Sequence, residues 1–275
     1  MAELPELEIL RRDLDKDVAG KKVKQAEVLV PATVKRNTNK KLFAARVDGM
    51  KITSGGRIGN WLTLGLESGE VMMIVLGPKA HLRRTQAKDP KEKGTLVIIT
   101  FTQHGQLRLV DTGKGSEMFV VPAEEVGDVV GPLGFDLVEE PVSWTAFGEQ
   151  LLRRQGKLKS ILMDTTFLVG VGPMYSDEIL FESGLRPDRS PQSLSTQEIR
   201  RLYRATVEKI HDALKYGGST VGEDGFTDLN GKRGEYQSEL AVYQRDGEMS
   251  PRARGLVVKT RFGSGYAYYC EQTQM

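Results

Sequence analysis

The sequence predicts an α+β fold: an N-terminal helix with an antiparallel β-sandwich, then a helical domain that ends in a β-hairpin finger. Three observations carry this. Leucines recur at helical spacing at the start, short β-type runs broken by glycine fill residues 23–121, and beyond residue 141 the apolar period becomes helical.

Leu4, Leu7, Leu14 and Val18 mark the opening helix, with Glu3 and Glu6 where the helix dipole favours acids and Gly20 as a stop. Residues 26–30, 61–66, 71–76, 96–102 and 106–111 read as strands, and 67–70 and 103–106 as tight turns. The turn-rich, acidic stretch 132–141 reads as a linker. Ser143 can cap a helix whose face carries Trp144, Phe147, Leu151 and Leu152. Further helices are predicted over 157–163, 174–183 and 196–215, the last striped by Ile199, Leu202, Tyr203, Val207, Ile210 and Leu214. From Gly231 the texture returns to β, with 255–260 and 266–270 bracketing Gly263-Ser264-Gly265 as a hairpin. The domains expected are therefore 1–131, 142–230 and 231–275, around the linker.

Composition narrows the function. At 275 residues, 39% hydrophobic and 28% charged, the chain is a two-domain globular protein and not a disordered one. Its apolar runs fall short of the roughly 20 residues that span a bilayer. The acidic start lacks the pattern of a secretion signal, so a soluble, cytoplasmic and monomeric protein is expected. The single cysteine, Cys270, excludes an internal disulfide framework and a cysteine-rich metal site. His81, His104 and His211 are scattered, which argues against a histidine metal site, so no metal and no cofactor is expected. The net charge of +2 announces no nucleic acid by itself. Local clusters do occur at Lys35, Arg36, Lys40 and Lys41, at Arg83, Arg84, Lys88, Lys91 and Lys93, and at Arg153, Arg154, Lys157 and Lys159.

Three distant segments then stand out: Ala2-Glu3-Leu4-Pro5-Glu6-Leu7-Glu8 with Arg11-Arg12; Lys159 to Asp164 with Gly170-Val171-Gly172-Pro173-Met174-Tyr175-Ser176-Asp177-Glu178; and Gly217-Gly218-Ser219-Thr220 with Tyr236-Gln237 and Leu240-Ala241-Val242-Tyr243. In this order they resemble the formamidopyrimidine-DNA glycosylase and endonuclease VIII family of base-excision repair. The resemblance implies a helix–two-turn–helix domain, DNA as partner, and an N-terminal amine as nucleophile. Here that amine belongs to Ala2, exposed by loss of Met1. An α-amino group, with a pKa near 8 against about 10.4 for lysine, holds a far larger neutral fraction at neutral pH, which imine formation requires. Glu3 resembles the family's catalytic acid and Glu6 its second buried acid; both also suit the plain role of helix N-terminal carboxylates.

Departures are as informative. Asn60 stands where the family carries a lysine, Pro78 where it carries a methionine that fills the space of the flipped base, and residues 113–116 where its other two void-filling side chains sit. Pro173 replaces a phosphate-binding asparagine. The four zinc cysteines of the family fall on Ser250, Ala253, Cys270 and Thr273, so the finger reads as zincless. By resemblance and charge, Asn60, Lys79, Lys159, Tyr175, Arg254 and Arg261 are the expected DNA contacts; residues 231–261 carry seven basic and four acidic side chains. The function implied is a damaged-base glycosylase with abasic-site lyase activity. The alternative is an attenuated paralogue that binds abasic or distorted DNA. Missing void-filling side chains point to substrates already unstacked, such as abasic sites, bubbles or single strands, and away from intact 8-oxoguanine–cytosine duplex.

Overall fold

The computed structural model describes every residue except Met1, His104 and Asp224, so the expectations placed on Met1 and His104 lie outside the described residues. The chain forms two units, Met1–Gly131 with Tyr216–Glu235, and Pro132–Lys215 with Tyr236–Met275.

The first unit opens with α1 (Leu4–Asp17), whose Pro5 sits in the first turn, where a missing N–H costs nothing. Eight strands follow: β1 (Val23–Val28), β2 (Ile52–Ile58), β3 (Trp61–Leu66), β4 (Glu70–Val75), β5 (Ala80–Thr85), β6 (Thr95–Phe101), β7 (Gln106–Asp111) and β8 (Glu117–Pro122). They build two antiparallel four-stranded sheets in the orders β1-β6-β7-β5 and β2-β3-β4-β8. One core joins both sheets to the helix: Leu7, Leu10 and Leu14 of α1 pack with Val97, Ile99, Leu107 and Leu109 from one sheet and Leu62, Leu64, Met72 and Ile74 from the other. Gly55 marks how closely α1 lies on β2, because a Cβ there would come within 2.4 Å of the Asp15 nitrogen. Met73, which faces away from that core, is also buried, against Phe119 and Val126 on the outer side of its sheet. This double burial explains why residues 71–76 read as one continuous apolar run.

Sequence reading overlooked part of this unit. Pro31–Asn37 is a 3-10 helix and α2 (Lys40–Val47) an α-helix, started by Asn39, whose side chain accepts from the nitrogens of Lys41 and Leu42. The apolar content of α2 is too sparse to give a helical period; only Phe43 and Val47 are buried.

In the second unit, α4 (Trp144–Leu152) is capped by Ser143, whose hydroxyl accepts from the Ala146 nitrogen at 3.1 Å, and follows a short α3 (Val126–Val130) of the first unit. Then come α5 (Leu158–Leu162), α6 (Pro173–Ser183), α7 (Thr196–Lys215) and the hairpin β9 (Val258–Phe262) with β10 (Gly265–Tyr269). Gly184 ends α6 in the left-handed conformation.

Two expected boundaries differ in the structure. Residues 216–230, expected with the helical domain, pack with the first unit: Asp13 accepts from the Leu229 nitrogen, the Arg84 nitrogen donates to the Leu229 carbonyl, and Phe226 and Leu229 enter the first core. The expected linker 132–141 is pinned to the second unit. The Gly134 nitrogen donates to the Thr165 carbonyl at 2.9 Å, and Phe135 pairs with Leu168 in a parallel bridge. Turn-like composition there records tight packing against Phe167, not freedom.

Candidate active site and nucleic-acid interface

The head of α1 is where the sequence placed its chemistry. Glu3 is the residue before the helix, extended at φ −107 and ψ −170, and buried to 4% exposure. Its neighbour Ala2 packs on the first core, which fixes where an amine on that residue sits. Glu6 is fully buried, and its carboxylate is divided between two backbone donors: Oε2 accepts from the Glu3 nitrogen at 3.0 Å and Oε1 from the Ser219 nitrogen at 2.8 Å. The Ser219 segment can approach this closely because Gly218 adopts φ +81; a Cβ there would meet Phe226 at 3.0 Å and Glu6 at 3.2 Å. Thr220 braces the same segment, donating to the Phe226 carbonyl and accepting from the Gly234 nitrogen.

Ser219 itself was overlooked as a chemical group. Its hydroxyl is buried and makes no hydrogen bond among the described residues, next to the carboxylate that holds Glu3. A buried hydroxyl left unmatched costs free energy and marks a place for a partner. The glycine pair that precedes it was the available sequence signal.

One turn further along α1, Glu8 is buried and accepts from Arg11 and Arg12 at 2.8 Å, with the Arg57 guanidinium 3.5 Å away. Burial pushes its pKa up, but the hydrogen bonds of Arg11 and Arg12 and the charges of Arg11 and Arg57 outweigh it and hold the carboxyl below its ordinary value. Arg57, its side chain entirely buried, also donates to the Gly59 carbonyl at 3.1 Å. The β2–β3 turn that carries Asn60 is thereby tied to α1. Asn60 presents a buried Oδ1 with no hydrogen-bond partner among the described residues.

The two loops expected to hold void-filling side chains lie side by side. Ser116 donates through its hydroxyl to Asp111 at 2.7 Å and accepts from the Gly77 nitrogen at 2.9 Å. This clasp fixes residues 77–79 against 113–116 and leaves Pro78 and Lys79 exposed.

Two of the expected DNA contacts are buried in the structure. Lys159 is 2% exposed, paired with Asp177 at 2.5 Å and donating to the Pro173 carbonyl at 3.0 Å; it organises the α5–α6 turn from inside. Tyr175 is fully buried, with its ring 5.7 Å from that of Tyr236. Pro173, at the first position of α6, suits that place because its missing N–H would have had no partner in the helix. Much of the basic clustering is also spent internally. Lys35 and Arg36 pair with Glu117, Lys91 with Glu27, and Arg154 with Asp164. Lys79, Arg254 and Arg261 remain exposed.

Of the finger positions, Cys270 is buried and Thr273 lies in the turn that follows it. Thr273 donates through its hydroxyl to the Cys270 carbonyl at 3.2 Å; burial raises the pKa of the thiol, but the neighbouring Thr273 and Ser250 side chains and the Gln272 and Thr273 backbone outweigh it and hold the thiol below its ordinary value. Gln274 closes the turn, accepting from the Cys270 nitrogen at 2.9 Å and donating to the Leu185 carbonyl at 2.8 Å. Among the described residues no three His, Cys, Asp or Glu side chains gather as a metal site, and no helix is long and apolar enough to cross a membrane.

A helix-headed β-sandwich followed by a helix–two-turn–helix unit with a hairpin finger defines a class of DNA-repair glycosylases. Residues 1–118 match the model of the formamidopyrimidine-DNA glycosylase N-terminal domain, and residues 133–224 that of its H2TH domain. The chain is 32% identical over 276 residues to a formamidopyrimidine-DNA glycosylase of Pelotomaculum thermopropionicum, covering 100% of this chain and 99% of that protein. A Bacillus cereus relative of the same name is 33% identical over 279 residues, covering 98% of each. Among solved structures, Lactococcus lactis Fpg in complex with abasic-site DNA superposes with a TM-score of 0.91 at 25% identity, covering 99% of each chain. The same protein with DNA containing N7-benzyl-Fapy-dG gives 0.90 at 26%. The chain belongs to the formamidopyrimidine-DNA glycosylase family.

Proposed function

We propose that this protein removes damaged bases from DNA and then opens the abasic site through an imine with the α-amine of Ala2. The observation that carries the reading is the head of α1, where Ala2 and a buried Glu3 adjoin and Glu6 locks the Glu3 backbone to the Ser219 segment. Glycosylase function rests on family membership; the roles of individual residues are inferred from this arrangement.

With Met1 removed, the neutral Ala2 amine attacks C1′ of the damaged nucleotide, and the bond to the base breaks as the base leaves with a proton. Glu3 protonates the sugar ring oxygen as the ring opens, then takes up and returns protons while the imine forms. Loss of the C2′ proton and of the 3′-phosphate from that imine cuts the strand. Glu6 serves as a positioning residue, because both of its oxygens are already engaged by backbone donors. Asn60 and Ser219, each with a buried polar atom that lacks a partner, supply groups for the lesion nucleotide. Lys79, Arg254 and Arg261 contact phosphates, and a single chain carries every group named, in keeping with a monomer acting on cytoplasmic DNA.

Incubation of the purified protein with duplexes carrying a formamidopyrimidine, 8-oxoguanine or an abasic site tests this. Base release and strand scission that are lost in Glu3→Gln support it. Binding to abasic DNA with neither activity would favour the attenuated paralogue.

A further inference from the structure

The finger hairpin carries an aromatic surface that phosphate contact does not explain. In the β9–β10 ladder Arg261 lies opposite Tyr266 and Lys259 opposite Tyr268, which places all four on one face. Tyr268 is buried at 7% exposure and anchors the hairpin base among Phe181, Val242 and Val257. Tyr266, two residues nearer the tip, is 46% exposed. The Lys259 ammonium lies 4.5 Å and the Arg261 guanidinium 5.8 Å from its ring centroid. Arg261 is steadied by donating to the Gly263 carbonyl at 3.2 Å, and no atom lies within 4 Å of where a Gly265 Cβ would stand, so the tip is open.

A half-exposed ring with two cations drawn over it, on a two-stranded ribbon, has the chemistry that holds single-stranded nucleic acid. A base stacks on the part of the ring that the cations leave open, and the cations take the neighbouring phosphates. A duplex offers no free base face to such a ring. We propose that Tyr266, with Lys259 and Arg261, stacks an unpaired base next to the lesion and so gives this protein a preference for DNA whose strands are parted there. The inference rests on the reading of the chain as a DNA-repair glycosylase and assigns the finger, through Tyr266, a part in the preference for unstacked DNA that the missing void-filling side chains imply.

The test measures affinity for three abasic DNAs: a fully paired duplex, one with a three-nucleotide unpaired stretch beside the lesion, and the same stretch built from base-less sugars. Wild type is expected to bind the base-bearing gap about tenfold more tightly than the base-less gap, near the lower end of what base–aromatic stacking contributes. Tyr266→Ala should lose that tenfold and keep its affinity for paired duplex, while Tyr266→Phe keeps both. Equal binding of the two gapped DNAs by wild type overturns the inference, and so does an equal loss on all three DNAs in Tyr266→Ala. A wild-type protein that binds no abasic DNA overturns the repair reading as well, which separates the two failures.

Discussion

The Glu6 carboxylate accepts a hydrogen bond from the Ser219 backbone nitrogen at 2.8 Å, 213 positions away in sequence, while its other oxygen accepts from Glu3. The general acid proposed for the reaction is thus set in place by a segment that the chain reaches only after its helical unit. Two variants probe this relationship. In Glu6→Gln one carboxylate oxygen becomes an NH₂ facing an N–H, at a cost of about 1–3 kcal/mol. Base excision should fall with little change in the shape of its pH profile, since a positioning residue does not titrate in the reaction; loss of one limb of the profile would make Glu6 an acid or base.

Gly218→Ala forces a side chain into a left-handed conformation and within 3.2 Å of Glu6. It should cost about 1–3 kcal/mol of stability and lower excision. Gly217→Ala is the control: its φ is +72, but a Cβ there would have nothing within 4 Å. That variant carries the backbone strain alone, so excision should suffer less. Thermal melts and single-turnover rates on both variants decide the matter.

Phosphate contacts are read from salt. With about four to six phosphates held, log affinity for abasic duplex should fall with a slope of roughly −4 to −5 against log salt. Alanine at Lys79, Arg254 or Arg261 should reduce that slope by about one each. Lys159→Ala behaves differently, because Lys159 is buried against Asp177. Removing it leaves a buried carboxylate alone, a cost of about 3–5 kcal/mol, and should appear as lost stability with the slope of the surviving folded protein unchanged.

That contrast shows where the sequence was legible. The span of α7, the ends of β3 and β7 and the hairpin finger follow from apolar period and turn residues, which are local signals. Lys159 and Tyr175 carry family motif positions, but a motif records residue type and not burial; only packing shows that one is paired and the other stacked inside. The place of residues 216–230 depends on hydrogen bonds to Glu6, Asp13 and Arg84, contacts too distant in sequence for any periodicity to report.

The finger should carry no stoichiometric zinc, and chelators should leave its melting temperature unchanged. Ser250, Ala253 and Thr273 stand with Cys270 at the sequence positions of the family's four cysteines, so the spacing for a metal site persists without its ligands. The triple variant Ser250→Cys, Ala253→Cys, Thr273→Cys should gain one zinc per chain by elemental analysis. A variant that folds and binds none would show that these positions do not converge.

Acid stability reports on the start of α7. Glu198 accepts from Arg189 at 2.6 Å and from the Ser195 nitrogen at 2.8 Å; the Arg189 bond, against the opposing effect of burial, brings its pKa down to about 2. A depressed carboxyl contributes stability above its unfolded value, and that contribution disappears as pH falls from about 4.5 towards 2. Allowing for partial exposure, Glu198→Gln should cost about 1–2 kcal/mol at pH 7 and almost nothing near pH 2, as denaturant titrations at the two pH values will show.

The most direct measurement is borohydride trapping on abasic DNA, followed by peptide mapping of the covalent adduct. The account predicts one adduct, on the α-amine of Ala2 in protein that has lost Met1, and its disappearance when a residue is added before Ala2. An adduct on a lysine side chain, or undiminished trapping by the extended protein, would contradict it.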